Sequence, residues 1–157
     1  NQALIKLGLV PFGRIMDTDE NCPTLSFNTI GRHQSQLVKT RVCSNLSPWL
    51  LKAQVGDIYT VPISHGEGRF LCPEPLLHEL FEKGQIVSQY VDPNGRPSLD
   101  ISYNPNGSLA AVEGICSPDG RIFGKMGHSE RIGKGLYKNV VGDYDIQLFS
   151  SAVLYYK

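Results

Sequence analysis

Residues 110–131 constrain this chain more than any other stretch, because they read as two strands around a tight turn, ending in a pair of ionisable groups. Residues 110–116 and 121–126 flank Ser117-Pro118-Asp119-Gly120, a turn sequence of the kind that joins antiparallel neighbours. The second strand runs into Lys125-Met126-Gly127-His128-Ser129-Glu130-Arg131. In an extended segment, side chains two apart share a face, so the Glu130 carboxylate is placed to steer the His128 ring. An imidazole held this way is the usual partner of a thiol or hydroxyl nucleophile: it takes the proton while the acid fixes its tautomer. The competing reading is a His128 that caps a backbone carbonyl and an exposed Glu130 paired with Arg131.

The remaining segments follow the same grammar. Ala3, Leu4 and Leu7 fit one helical face, with Gly8 as the stop and Pro11 forbidding continuation. Residues 24–30 and 36–43 alternate as strands and are expected to pair with each other, antiparallel. Ser47-Pro48 opens a short helical turn with Trp49, Leu50 and Leu51, and residues 58–63 read as a buried strand. Residues 73–83 are helical, with Leu76, Leu77, Leu80 and Phe81 apolar and Gly84 as the stop; residues 86–91 form a strand. Asp92-Pro93-Asn94-Gly95 and Asn104-Pro105-Asn106-Gly107 punctuate a long turn-rich connection. From Asp145, the residues Ile146, Phe149, Val153 and Leu154 mark the apolar face of a last helix. Helices interleaved with strands predict an α/β domain with a mixed sheet.

At 157 residues the chain suits one domain, and its 41% apolar content supplies a core. Fifteen basic and 15 acidic residues give a net charge of zero, which argues against nucleic acid as a partner. No apolar run approaches the roughly 20 residues a membrane span needs. Cys22, Cys43, Cys72 and Cys116 are far apart and show no paired spacing, so they read as reduced thiols of a cytoplasmic protein.

A second His-x-Glu, His65-Gly66-Glu67, also follows a predicted strand, and Gly66 and Gly68 allow close backbone approach. Two such clusters invite a metal reading. A zinc deaminase needs a Cys-x-x-Cys partner and a zincin needs His-Glu-x-x-His, and the chain has neither. Gly133-Lys134-Gly135 matches neither a Walker loop nor a dinucleotide fingerprint, and Arg131, Lys134 and Lys138 read as a solvated basic face.

Four stretches carry a family resemblance: residues 1–9 with Pro11, Pro62-Ile63-Ser64-His65-Gly66-Glu67-Gly68-Arg69-Phe70, Asn104-Pro105-Asn106-Gly107-Ser108, and Gly124-Lys125-Met126-Gly127-His128-Ser129-Glu130-Arg131. On these, the chain resembles the C-terminal part of the glutamine amidotransferase domain of the phosphoribosylformylglycinamidine synthase family. The resemblance implies a partial flavodoxin-like class I glutaminase fold and a Cys-His-Glu triad. In such enzymes a thiolate attacks the side-chain amide of glutamine, forming a glutamyl thioester and releasing ammonia. A synthase domain then uses the ammonia, with ATP and Mg, to amidinate formylglycinamide ribonucleotide in purine biosynthesis. The resemblance implies no cofactor in the glutaminase domain itself.

His128 matches the triad His and Glu130 the triad Glu, while His65, Gly66, Glu67, Asn106, Gly107 and Ser108 match segments near the glutamine cleft. The family's nucleophile stands in a Gly-x-Cys-Asn-Gly elbow just before the segment matching Asn1-Gln2-Ala3, and none of the four cysteines here stands in that context. Residues 1–157 are therefore expected to form the C-terminal part of the domain, without elbow or preceding strands and inactive in isolation. Two other classes compete: a non-catalytic docking piece beside a synthase, and a metal-assisted hydrolase using both His-x-Glu clusters.

Overall fold

A computed structural model of the chain describes residues 1–133 and 135–157; Lys134, in the Gly133-Lys134-Gly135 motif and the expected basic face, lies outside them. The chain opens with a short helix, α1 (Gln2–Lys6), which ends where Gly8 turns left-handed (φ 77°) just past the Leu7 cap. The expected face packs only in part, through Leu4, which lies against the core. Ala3 and Leu7 are exposed, Leu4 is half-buried, and Ile5 enters the core beside Val10 and Leu25. A helix of little more than one turn has no stripe of its own, so one well-seated side chain fixes its orientation. A further turn, α2 (Leu9–Phe12), buries Val10 and Pro11.

Strand β1 (Thr24–Ser26) leads to the long β2 (Gln34–Val42), β3 (Ile58–His65) and the short β4 (Arg69–Leu71). Helix α3 (Glu74–Glu82) starts after Pro73 and buries Leu80. Then come β5 (Ile86–Tyr90), the hairpin of β6 (Val112–Cys116) with β7 (Phe123–Lys125), and α4 (Leu148–Tyr156). The predicted turn at Pro48–Leu50 is a single 3-10 turn, capped by the Ser47 side chain on the Trp49 N–H.

One of the expected pairings is corrected. β1 does not pair with β2; it forms a two-stranded sheet with β4, in the register Leu25 against Phe70. β2 instead lies between β3 and β5 in a five-stranded sheet of order β3-β2-β5-β6-β7. Strand spacing and alternation say where strands are but not which partner takes them, and the β2 ladder is already filled on both sides. The α/β architecture stands, but every pairing among the described residues is antiparallel, so no parallel pair of the expected mixed sheet falls within them.

Pro62 explains the edge position of β3: it has no N–H to give a second neighbour, so it suits a strand with one partner. The core divides into two clusters, and the adjacent β5 residues Ile86 and Val87 go to different ones. α4 packs by an unexpected face: Leu148, Ser151 and Ala152 are buried, whereas Phe149, Val153 and Leu154 are 63%, 56% and 55% exposed. The small Ser151 and Ala152 let the helix approach the Pro48 turn closely, where the Lys52 N–H donates to Ser151 Oγ at 3.1 Å. Phe149 keeps only an edge-on contact with Trp49, ring centres 6.3 Å apart. Among the described residues no helix is long and apolar enough to cross a membrane.

The hairpin turn that ties β6 to β7 leans on the Pro48 region. Gly120 has φ 73°, and a Cβ there would stand 2.7 Å from the Leu46 carbonyl oxygen and 2.8 Å from Ser47 Cα. Gly31 has a similar φ of 67° but nothing within 4 Å. Gly31→Ala should therefore cost about 1 kcal/mol of left-handed strain, and Gly120→Ala about 3 kcal/mol or more, because backbone atoms must also move. Urea unfolding of the two variants checks this; equal losses would contradict the packing of the turn.

Candidate active site

The site is assembled where the chain leaves β7 and crosses to β3. Three successive backbone N–H groups are bound on the way: Met126 to the Glu113 carbonyl at 3.0 Å, Gly127 to Glu113 Oε1 at 2.7 Å, and His128 to the Pro62 carbonyl at 2.8 Å. Only glycine fits the middle position. A Cβ on Gly127 would meet both Val61 methyls at 2.7 Å and Glu113 Oε1 at 2.9 Å. Val61 is on β3 and Glu113 on β6, two strands that a flat sheet would hold about 14 Å apart across β2 and β5. Both reach Gly127, so the sheet is strongly curled and the crossing chain fills its concave side.

His128 leaves this crossing with its Nδ1 2.7 Å from Glu130 Oε1. A carboxylate only accepts, so the proton sits on Nδ1 and the Nε2 lone pair is free. Nε2 is buried and has no hydrogen-bond partner among the described residues. Arg131 also approaches Glu130, at 4.0 Å, so the surface ion pair coexists with the imidazole contact and does not replace it. Partial burial works to raise the Glu130 pKa, but its own backbone N–H, the His128 hydrogen bond and the nearby charges outweigh it and hold the carboxyl below its usual range.

His65, at the end of β3, stacks on His128 with ring centres 4.9 Å apart and planes 13° from parallel. Its Nε2 donates to the Met126 carbonyl, which ties the two histidine segments together. Burial lowers the His65 pKa, with the neighbouring His128 adding to the effect against the Met126 hydrogen bond.

The loop after His65 is held from two sides. Asn28, which sequence reading passed over, donates from Nδ2 to the His65 carbonyl at 2.6 Å and accepts the Gly68 N–H at 3.1 Å. Ser108 Oγ accepts the Phe70 N–H at 3.1 Å and donates to the Gly68 carbonyl at 3.2 Å. Asn106 donates to the Tyr90 hydroxyl at 3.2 Å, and its Oδ1 is buried without a partner among the described residues. A Cβ on Gly68 would stand 2.5 Å from the Asn106 amide nitrogen, so this glycine too marks a close approach. Gly107 lies against Thr29, Gly66 accepts the Asn28 N–H, and Glu67 accepts from the Gln2 side chain. Thus His65, His128 and Glu130 form one cluster, and Asn106, Gly107 and Ser108 brace the neighbouring loop from within the fold.

The thiols offer no nucleophile to this cluster. Burial pushes Cys43 and Cys72 up to about 11 and Cys116 to about 12, far from the range of a reactive thiolate. Cys43 bonds to Arg41 and Gln89, Cys72 to Pro73, and Cys22 to Asp19. Among the described residues, no group of three or more His, Cys, Asp or Glu side chains is placed to hold a metal ion.

Comparisons with known proteins place the fold in a family. The family model of the CobB/CobQ-like glutamine amidotransferase domain matches residues 1–156. The phosphoribosylformylglycinamidine synthase subunit PurQ of Methanococcus maripaludis is 39% identical over 131 residues, which are 83% of this chain and 47% of that protein. The subunit of the same name from Aquifex aeolicus is 33% identical over 144 residues, 92% of this chain and 56% of that protein. The chain thus spans about half the length of the curated relatives it matches. A chain in the structure of PurLQS from Thermotoga maritima superposes with a TM-score of 0.68 at 24% identity, over 99% of this chain and 58% of that one. That superposition supports the α/β class I glutaminase fold. By the span of its family match and its identity to these relatives, the chain belongs to the CobB/CobQ-like glutamine amidotransferase family.

Proposed function

We propose that this chain carries the His-Glu half of a glutaminase that supplies ammonia from glutamine to phosphoribosylformylglycinamidine synthase. The observation that carries the reading is His128, with Nδ1 held by Glu130 at 2.7 Å and Nε2 buried without a partner among the described residues. In this reading residues 1–157 are the C-terminal part of the amidotransferase domain, and the thiol comes from a Gly-x-Cys-Asn-Gly elbow outside them. His128 Nε2 takes the thiol proton, and the thiolate attacks the amide carbon of glutamine. As the tetrahedral intermediate collapses, the C–N bond breaks and the imidazolium returns the proton to the departing ammonia, leaving a glutamyl thioester. Water activated by the same imidazole then releases glutamate. Glu130 keeps the ring in its tautomer and stabilises the imidazolium that forms.

The partners follow from that chemistry: glutamine as substrate and, in the cytoplasm, a synthase domain that binds ATP and Mg and consumes the ammonia. The loop at His65, Gly66 and Glu67 and the turn at Asn106, Gly107 and Ser108 border the glutamine cleft in this reading. The docking piece and the metal-assisted hydrolase lose ground to family membership and to the imidazole-carboxylate pair.

Glutamate release is the test. The 157-residue chain alone should release none, while a protein extended upstream through the elbow should be active. There, His128→Ala should lower glutaminase turnover at least about a thousandfold and Glu130→Gln about a hundredfold or more, with ammonia still supporting the synthase step. Turnover by the 157-residue chain that thiol alkylation blocks would assign the nucleophile to one of its own four cysteines and overturn the scheme.

His65 should stay neutral beside the imidazolium, and that sets a pH dependence. Its folded pKa lies below the ordinary 6.5, so the unfolded chain binds more protons in the window between the two values. Stability therefore rises as pH climbs through that window to about 6.5 and then levels off as far as this group is concerned. His65→Gln should flatten this part of a plot of urea midpoint against pH; an unchanged slope would contradict the burial of a neutral His65.

A further inference from the structure

Among the described residues, Glu113 is the one buried carboxylate, and the triad chemistry has no use for it. It stands in the middle of β6, and its side chain is completely buried. Three donors surround its carboxylate, and a fourth binds its main chain. Gly127 N–H donates to Oε1 at 2.7 Å, Lys125 Nζ lies 3.7 Å from the same oxygen, Ser88 Oγ donates to Oε2, and Met126 N–H donates to the main-chain carbonyl at 3.0 Å. Lys125 Nζ in turn donates to Ser129 Oγ at 2.7 Å, so the network touches the chain on both sides of His128.

We propose that Glu113 is a positioning residue for His128, acting through the Gly127 amide and the Lys125–Ser129 bridge to fix where Nε2 points. This rests on the glutaminase reading given above. The physical reason is that, among the described residues, the Gly127 amide bond to Glu113 is the one that ties the peptide before His128 to a fully buried carboxylate. His128 is held to β3 through one backbone bond, to Pro62, and its side chain is held by a Glu130 that is itself 56% exposed. A bond to a buried carboxylate is stronger than one to a neutral acceptor and cannot be exchanged for water. Gly127 has no side chain to pack, so without Glu113 the peptide before His128 could tilt. A shift of about 1 Å at a catalytic group costs about a hundredfold in rate.

The test uses the full-length protein carrying the elbow cysteine. Glu113→Ala should lower glutaminase kcat about a hundredfold with KM within about threefold, and move the His128 imidazole resonances. Glu113→Gln, which keeps an acceptor for Gly127, should recover to within about tenfold of wild type and restore those resonances. Should Glu113→Ala not fold, Ser88→Ala carries the test: it removes the donor to Glu113 Oε2 and should shift the His128 resonances part of the way, against wild-type-like resonances in Glu113→Gln. Loss of thermal stability with wild-type kcat and wild-type His128 resonances would make Glu113 merely structural and overturn the proposal. If the wild type itself hydrolyses no glutamine, the glutaminase reading fails, and the His128 resonances alone decide whether Glu113 positions the ring.

Discussion

The contact on which the rest of this structure depends is the one at Gly127, where the chain passes between Val61 of β3 and Glu113 of β6. A sheet of five antiparallel strands has two free edges and a concave face once it curls, and something must fill that face. Here it is filled by a backbone segment with its N–H groups bound to both sides. The arrangement needs a residue without a side chain at the crossing and an acceptor deep in the sheet to receive the amide. With both in place, the next residue, His128, emerges in a fixed direction. A buried carboxylate with several donors is costly to leave unpaired, so the network favours one conformation over its neighbours.

The division of labour at the site follows from burial. Glu130 is partly solvated and keeps its charge, which suits an orienting group. His65 is more enclosed and favours the neutral form, so a flat, uncharged ring covers one face of His128. Nε2 faces a space that the described residues leave without a donor or acceptor. An imidazole with one nitrogen committed and the other free is what a thiol nucleophile requires.

Some of this was legible in the sequence and some was not, and the difference is one of range. The β6–β7 hairpin, α3 and the strand ending at His65 were announced by local signals: turn residues, a proline start, an apolar run. The His128–Glu130 contact was legible because residues two apart share a face. Partner choice was not. β1 pairs with β4, some 45 residues on, because Asn28 and Ser108 hold the His65 loop beside it; nothing in the β1 segment itself encodes that choice. α4 was read by its largest apolar residues, yet close packing onto the Pro48 turn selected the small Ser151 and Ala152. Glu113 carried the one signal that could have been read, an acidic residue in the middle of an apolar strand, though not the identity of its donors.

The most direct measurement of the central claim is the tautomer of His128 in the folded protein, read from the imidazole nitrogen chemical shifts near neutral pH. The account predicts that the neutral form of the ring carries its proton on Nδ1, directed at Glu130, with Nε2 unprotonated. A neutral form held with its proton on Nε2 would contradict it, because such a His128 could not receive a proton there from a thiol.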